Sequence, residues 1–313
     1  MRWDDRIGRR LKLSDLHILL VVAQCGSMAK AASQLAISHP VVSRAISQLE
    51  HTLGVRLLER NPHGVALTEF GRALLSRSQA AFDELRQGVK DIEFLADPTA
   101  GEIRIGSTVE LAVSFVSAVI DRLSRRYPHI VLDVVTGSNE EMQRALSERS
   151  VDFLIVRKRG TITDKRLSFE TLYENPYVVA AGIGNPWARR RRVELSELLG
   201  ELWTLPSPNT FKGSVALEAF RTSGLEYPHV TVVAFADELR ISLLTTGRFL
   251  TILPRSALIF PVKHQFIKEL PVKFQITSRS IGILTLKDRV LSPVAQLFID
   301  CAREVAKPLG HQK

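Results

Sequence analysis

Apolar positions in the first hundred residues recur at helical spacing, whereas the rest of the chain alternates strand-like and helix-like runs. Leu16, Leu19, Leu20 and Ala23 follow Ser14, which predicts a first helix capped by Ser14 and ended by Gly26. Ser27 predicts the cap of a short Ala-rich helix, Met28 to Leu35. After the Ala36-Ile37 turn, Ser38 opens a third helix that reaches Leu53 and stops at Gly54. Pro40 sits in its first turn, where a missing N–H costs nothing. Three short helices joined by tight turns predict a helix-turn-helix.

The third helix sorts by face. Val42, Ile46, Leu49 and Leu53 form an apolar stripe that packs on the first two helices. His39, Pro40, Ser43, Arg44 and Ser47 remain on a small, polar, basic outer face that suits a major groove. Two β-prone runs follow, Val55 to Glu59 and Val65 to Leu67. Between them the turn-rich tip Arg60-Asn61-Pro62-His63-Gly64 predicts a basic wing against phosphates. Thr68 then opens a helix to about Ala96, roughly 43 Å long, ended by Asp97-Pro98-Thr99-Ala100-Gly101. Leu74, Ala81, Gly88 and Leu95 recur every seven residues, with Leu85 and Ile92 at the offset position. That seam predicts pairing with a second copy, close at Ala81 and Gly88. The alternative is a long helix packed on its own chain.

From Glu102 a βαβ pattern repeats and predicts a parallel sheet: strand 102–106, helix 109–126, strand 130–135, helix 140–149 and strand 151–156. A second α/β region begins near Thr161, with strands at 177–181, 231–235 and 249–253 and helices near 194–199, 212–222 and 237–246. The last part offers strands at 272–276 and 281–286 and a helix from Ser292. The expected architecture is a winged helix-turn-helix over residues 1–67, a linker helix over 68–97 and a two-lobed α/β domain over 98–313. Lobe I spans about 102–160 and 267–307, lobe II about 161–266, with a ligand cleft between them.

Composition narrows the class. With 45% apolar and 24% charged residues in 313, the chain is an ordinary globular one, long enough for two or three domains. The net charge of +9 points to a polyanionic partner, yet residues 1–96 hold only 13 basic against 10 acidic side chains. Much of the excess therefore lies elsewhere, partly in Arg157-Lys158-Arg159 and Arg189–Arg192, read as solvated or interface faces. The lone cysteines Cys25 and Cys301 favour a reducing compartment, and Cys25 reads as core. The charged start (Arg2, Asp4, Asp5, Arg6, Arg9, Arg10) is not a signal peptide, and the apolar run Leu16 to Ala23 is too short to span a bilayer. A cytoplasmic protein is expected, with no membrane, cofactor or metal.

No G-x-S-x-G elbow, Walker loop, G-x-G-x-x-G or H-E-x-x-H motif is present, so no catalytic residue is assigned. Asp237-Glu238 reads as helix capping. Two non-enzymatic alternatives to a ligand-responsive DNA-binding protein stay open. A solute-binding protein for transport shares the two-lobed pattern but leaves the first hundred residues unexplained. A repressor that needs no ligand leaves some two hundred residues of α/β chain without a purpose.

The runs Ala31-Ala32-Ser33-Gln34-Leu35, Ser38-His39-Pro40-Val41-Val42-Ser43-Arg44, Leu49-Glu50, Leu57-Leu58-Glu59-Arg60 and Leu67-Thr68-Glu69-Phe70-Gly71 resemble the winged helix-turn-helix of LysR-type transcriptional regulators. Gly101 to Gly106, Tyr127-Pro128 and Asp152 to Ile155 continue the resemblance, so it covers nearly the whole chain. It implies a bacterial regulator with an N-terminal DNA reader, a linker helix for dimers or dimers of dimers, and a periplasmic-binding-protein-like effector domain. Double-stranded operator DNA, a small-molecule effector and RNA polymerase are the implied partners. Base and phosphate contacts fall on His39, Pro40, Ser43 and Arg44, with Ser47, Arg60 and His63 flanking them. The family usually carries Gln at His39 and Phe at Leu58; the first departure bears on base preference, the second on core packing. For the cleft the resemblance implies Ser107, Thr108, Thr136, Gly137, Ser138, Thr204, Pro206 and Ser207 near Leu205, with Ser107 and Thr108 either on the ligand or capping their own helix. The stretch Asp91 to Pro98 followed by Gly101 is similar to the galactose-binding-protein-regulator subgroup, which implies a sugar or sugar acid; an aromatic acid is the alternative.

Overall fold

A computed structural model of the chain describes residues 10–61, 64–158, 160–260, 265–273 and 279–310. It divides into two compact units, up to Val89 and from Lys90 onward. The first unit begins with helices Leu13–Cys25, Met28–Gln34 and His39–Leu53. Their apolar faces close on one another around Leu19, Val22, Ala31, Val42, Ile46 and Leu49. Gly26 and Gly54 end the first and third helices in the left-handed region at φ 63° and 72°, which favours glycine. The Ser27 hydroxyl accepts the Lys30 N–H as expected. Ser14 instead lies inside its helix, because the chain turns helical two residues earlier and Lys12 occupies the cap. Ser38 holds its cap position without a side-chain bond.

The wing is a two-stranded hairpin, β1 (Leu58–Asn61) and β2 (Gly64–Leu67), in antiparallel register. Its first strand starts three residues later than the apolar run suggests, because two backbone N–H groups at its start are taken by a side chain. The Glu50 carboxylate accepts from Leu57 and Leu58 N–H at 2.8 and 3.1 Å. The hairpin is tied down again where Val65 N–H donates to the Gly26 carbonyl at 2.9 Å. Thr68 donates its hydroxyl to the Arg56 carbonyl and accepts the Gly71 N–H, which starts the long helix Glu69–Ala96.

The second unit holds two five-stranded sheets. In the first, β3 (Ala100–Ser107) lies parallel to β4 (His129–Thr136) and β5 (Phe153–Arg157); β12 (Arg279–Leu286) runs antiparallel between β5 and β6 (Leu167–Asn175). In the second, β8 (Leu202–Leu205) is parallel to β9 (Val230–Val233) and β10 (Phe249–Pro254). There β7 (Tyr177–Gly182) joins β10 to β11 (Ile267–Glu269) antiparallel. Both sheets are thus mixed rather than purely parallel. The division between lobes also moves: β6 belongs to the first sheet and β11 to the second. The Leu-Ser-Phe-Glu-Thr alternation of β6 is half polar and pairs only with a strand more than a hundred residues away, so no local pattern announced it. The 272–276 strand is reduced to a Val193–Val272 bridge, and its later residues lie outside the described ones.

Apolar clusters flank both sheets, and the largest of each lobe sits between sheet and helices. Phe115, Phe153, Ile281 and Phe298 centre the first lobe, and Trp203, Phe220, Leu205 and Leu250 the second. Asp152 is buried beside the first core and accepts from Arg104 N–H and the Arg289 guanidinium at 2.8 Å each. Lys90 reaches the same carboxylate at 3.4 Å, which fastens the last turns of the long helix to this lobe.

Candidate functional site

On the third helix of the first unit, His39, Pro40, Arg44 and Ser47 are exposed and Ser43 half-exposed, while Val42, Ile46 and Leu49 are buried. The outer face read from the spacing is therefore free along its length. Val41 joins it at 45% exposure and adds an apolar contact beside the basic ones. The wing backbone at Arg60 pairs with Val65, while its side chain and all of His63 lie outside the described residues.

On the long helix Leu74 is half-buried in the helical core, whereas Ala81, Leu85, Gly88, Ile92 and Leu95 are exposed. Leu85, Ile92 and Leu95 present 53%, 68% and 82% of their surface, and Val89 lies among them. Among the described residues no single helix is long and apolar enough to cross a membrane, and no three His, Cys, Asp or Glu side chains are grouped to hold a metal ion.

In the second unit a cleft of ≈ 470 Å³ opens between the two sheets. Thr108, Val109, Glu110, Gly137, Ser138, Asn139, Glu140 and Arg157 line it from the first lobe, and Phe211, Lys212 and Phe235 from the second. The residues after β3 form one α turn, Val109–Leu111, then a π turn, Ala112–Val116, before helix Ser117–Arg126. Ser114 donates to the Glu110 carbonyl at 2.6 Å and Ser117 to the Val113 carbonyl at 2.7 Å within this wider turn. Such turns recur at functional sites.

Thr108, Gly137 and Ser138 stand where the sequence placed them. The Ser138 hydroxyl also caps helix Asn139–Ser147, in a reciprocal box with Glu141. Among the described lining residues Ser107, Thr136, Thr204, Pro206 and Ser207 are absent. Ser107 is fully buried and spends its hydroxyl on the Ile155 carbonyl at 2.9 Å, so it neither faces the cleft nor caps a helix. Thr136 is exposed at the end of edge strand β4. Thr204 is buried in β8 with no partner for its hydroxyl, and Pro206 is buried beyond the strand end. Ser207 turns its carbonyl to Thr210. The common reason is alternation: neighbours at a strand end point to opposite faces, so a run of hydroxyl residues cannot all reach one cavity.

The charged residues at the cleft were missed. Arg157 belongs to a basic run whose composition suggests a solvated or interface face, yet it is 7% exposed and donates to Glu110 at 2.5 Å. The second Glu110 oxygen lies 3.4 Å from Lys212, which also meets Asp237 at 2.8 Å; Asp237 in turn pairs with Arg240. Asp237 thus serves an ion-pair chain as well as a helix start. Burial disfavours the Arg157 charge, but Glu110 and the Tyr177 and Tyr173 hydroxyls outweigh it and raise its pKa. Its guanidinium stands 5.2 Å over the Tyr177 ring, and its Nη1 has no hydrogen-bond partner. In sequence these groups lie far apart, and only the fold brings them together.

Comparison with known proteins adds to this geometry. Residues 13–72 match the family described as bacterial regulatory helix-turn-helix protein, lysR family, and residues 96–307 match the LysR substrate binding domain. The transcriptional regulator TdcA of Escherichia coli strain K12 is 24% identical over 299 residues, 96% of this chain and 95% of that protein. The regulator GbpR of Azospirillum brasilense is 24% identical over 297 residues, covering 94% and 86%. Among solved structures, a full-length OxyR variant of Pseudomonas aeruginosa superposes with a TM-score of 0.69 at 19% identity, covering 97% and 99%.

Proposed function

The chain belongs to the LysR family of DNA-binding transcriptional regulators, and from that premise we propose that it reads an operator with its third helix while the cleft reports a small-molecule effector to that reader. Arg44 pairs with guanine or clamps a phosphate, Ser43 assists, and His39, Pro40 and Ser47 complete the contact face, with Arg60 and His63 on the wing. Two copies joined along the exposed stripe of the long helix present two such faces, to half-sites about one helical turn or a multiple apart. The protein acts in the cytoplasm as a regulator and not as an enzyme, with RNA polymerase as a further partner.

The observation that carries the effector half is a cleft walled from both lobes. A ligand there touches both and shifts the balance between their arrangements by its differential affinity. The likeness of residues 91–101 to the galactose-binding-protein-regulator subgroup favours a sugar or sugar acid. Phe211 and Phe235 on the cleft wall favour an aromatic acid.

Replacement of Arg44 by Ala tests the DNA half. Operator affinity is expected to fall by about 1–3 kcal/mol with a shallower salt dependence, while the circular dichroism spectrum is unchanged. Equal affinity across a salt series would remove Arg44 from the interface.

A further inference from the structure

The ion-pair chain of the cleft holds three cations, the buried Arg157 and Arg240 and the half-buried Lys212, against two carboxylates, Glu110 and Asp237. One positive charge is left over. Two flanking charges cancel each other: Arg279 stands over the Phe211 ring at 5.7 Å, and Glu140 lies exposed on the rim. The surplus sits among donors short of acceptors: Nη1 of the cavity-lining Arg157 and Nε of Arg240 and Arg279 are buried without a hydrogen-bond partner. A donor left that way costs free energy until an acceptor reaches it. Helices Asn139–Ser147 and Phe211–Thr222 also start at the cleft and add the positive ends of their dipoles. Beside these groups the wall is apolar, with Val109 and Phe235 both more than half exposed and the Lys212 ammonium 5.1 Å over the Phe235 ring.

We propose that Glu110 is a built-in counter-ion that sets the charge of the effector, so that the cleft selects monoanions and seats a carboxylate beside Arg157 and Lys212. This rests on the cleft being the effector site. One Glu110 carboxylate already spans both lobes, on Arg157 at 2.5 Å and Lys212 at 3.4 Å, and cancels one of their two charges. A neutral ligand leaves the surplus charge unanswered. A dianion brings one negative charge too many beside Glu110. Removing Glu110 exposes a second positive charge, and removing Lys212 takes away the surplus.

Two ladders of rising charge test this on the full-length protein: terephthalamide, 4-carbamoylbenzoate and terephthalate, which share one shape, and galactose, galacturonate and the open-chain galactarate. Thermal shift and titration calorimetry are run on the wild type, Glu110→Gln and Lys212→Met. In the wild type the monoanion of at least one ladder is expected to bind about tenfold more tightly than its neutral and dianionic neighbours. The optimum moves to the dianion in Glu110→Gln and to the neutral compound in Lys212→Met, so one variant suffices if the other does not fold. The same charge order in wild type and variants, a neutral or dianionic optimum in the wild type, or no binding in either ladder overturns the proposal. Operator affinity measured alongside separates the two readings: a charge ladder with no effect at the operator keeps the charge rule and removes the effector role.

Discussion

Arg157 keeps its charge in the protein interior because a partner 47 positions earlier is folded against it. A buried guanidinium without such a partner is among the most costly features a chain can carry. The same neighbourhood gives a pH signature. Burial raises the Tyr177 phenol above its ordinary value, with Arg157 opposing part of the effect. The folded state then holds that proton more tightly than the unfolded chain. Its contribution to stability is complete below the unfolded phenol value, about 10, and is lost as pH rises through the raised folded value. Urea midpoints are expected to fall through that alkaline range in the wild type and less so in Tyr177→Phe. Equal slopes would place the titration elsewhere. Residue identity alone did not reveal this role, since Tyr177 lies in an all-buried strand that reads as core.

The helices of the first unit were legible almost residue by residue, because each carries its own periodicity and its own stop. Gly26, Ser27 and Gly54 act within one turn of where they stand, so their roles follow from local backbone geometry. The start of the wing was less legible because it depends on Glu50, one element away. Glu50→Ala strips Leu57 and Leu58 of their acceptor and is expected to cost about 1–3 kcal/mol, read by chemical denaturation followed through helical circular dichroism. A loss below about 0.5 kcal/mol would mean that water replaces the carboxylate. Strand β6 escaped for the same kind of reason: its pairing partner is remote, and its own sequence is half polar.

At the scale of the whole molecule, the exposed stripe Leu85, Val89, Ile92 and Leu95 is the surface that the proposed pairing with a second copy of the same helix would cover. Leu85→Glu combined with Ile92→Glu is expected to shift sedimentation from dimer or larger to monomer and to weaken operator binding with the fold retained. Unchanged sedimentation would mean that other surfaces hold the copies together. The sequence by itself determined the helix-turn-helix, the face of its third helix, the long helix and the two α/β lobes. Each of these rests on a periodicity that a few neighbouring residues enforce. Only the tertiary structure decided which strands join which sheet and which polar residues meet at the cleft. Hydroxyl residues that look alike in a row point to opposite faces of a strand. Glu110, Arg157, Lys212 and Asp237, distant in sequence, become one linked set of charges only when the two lobes wall the same cavity.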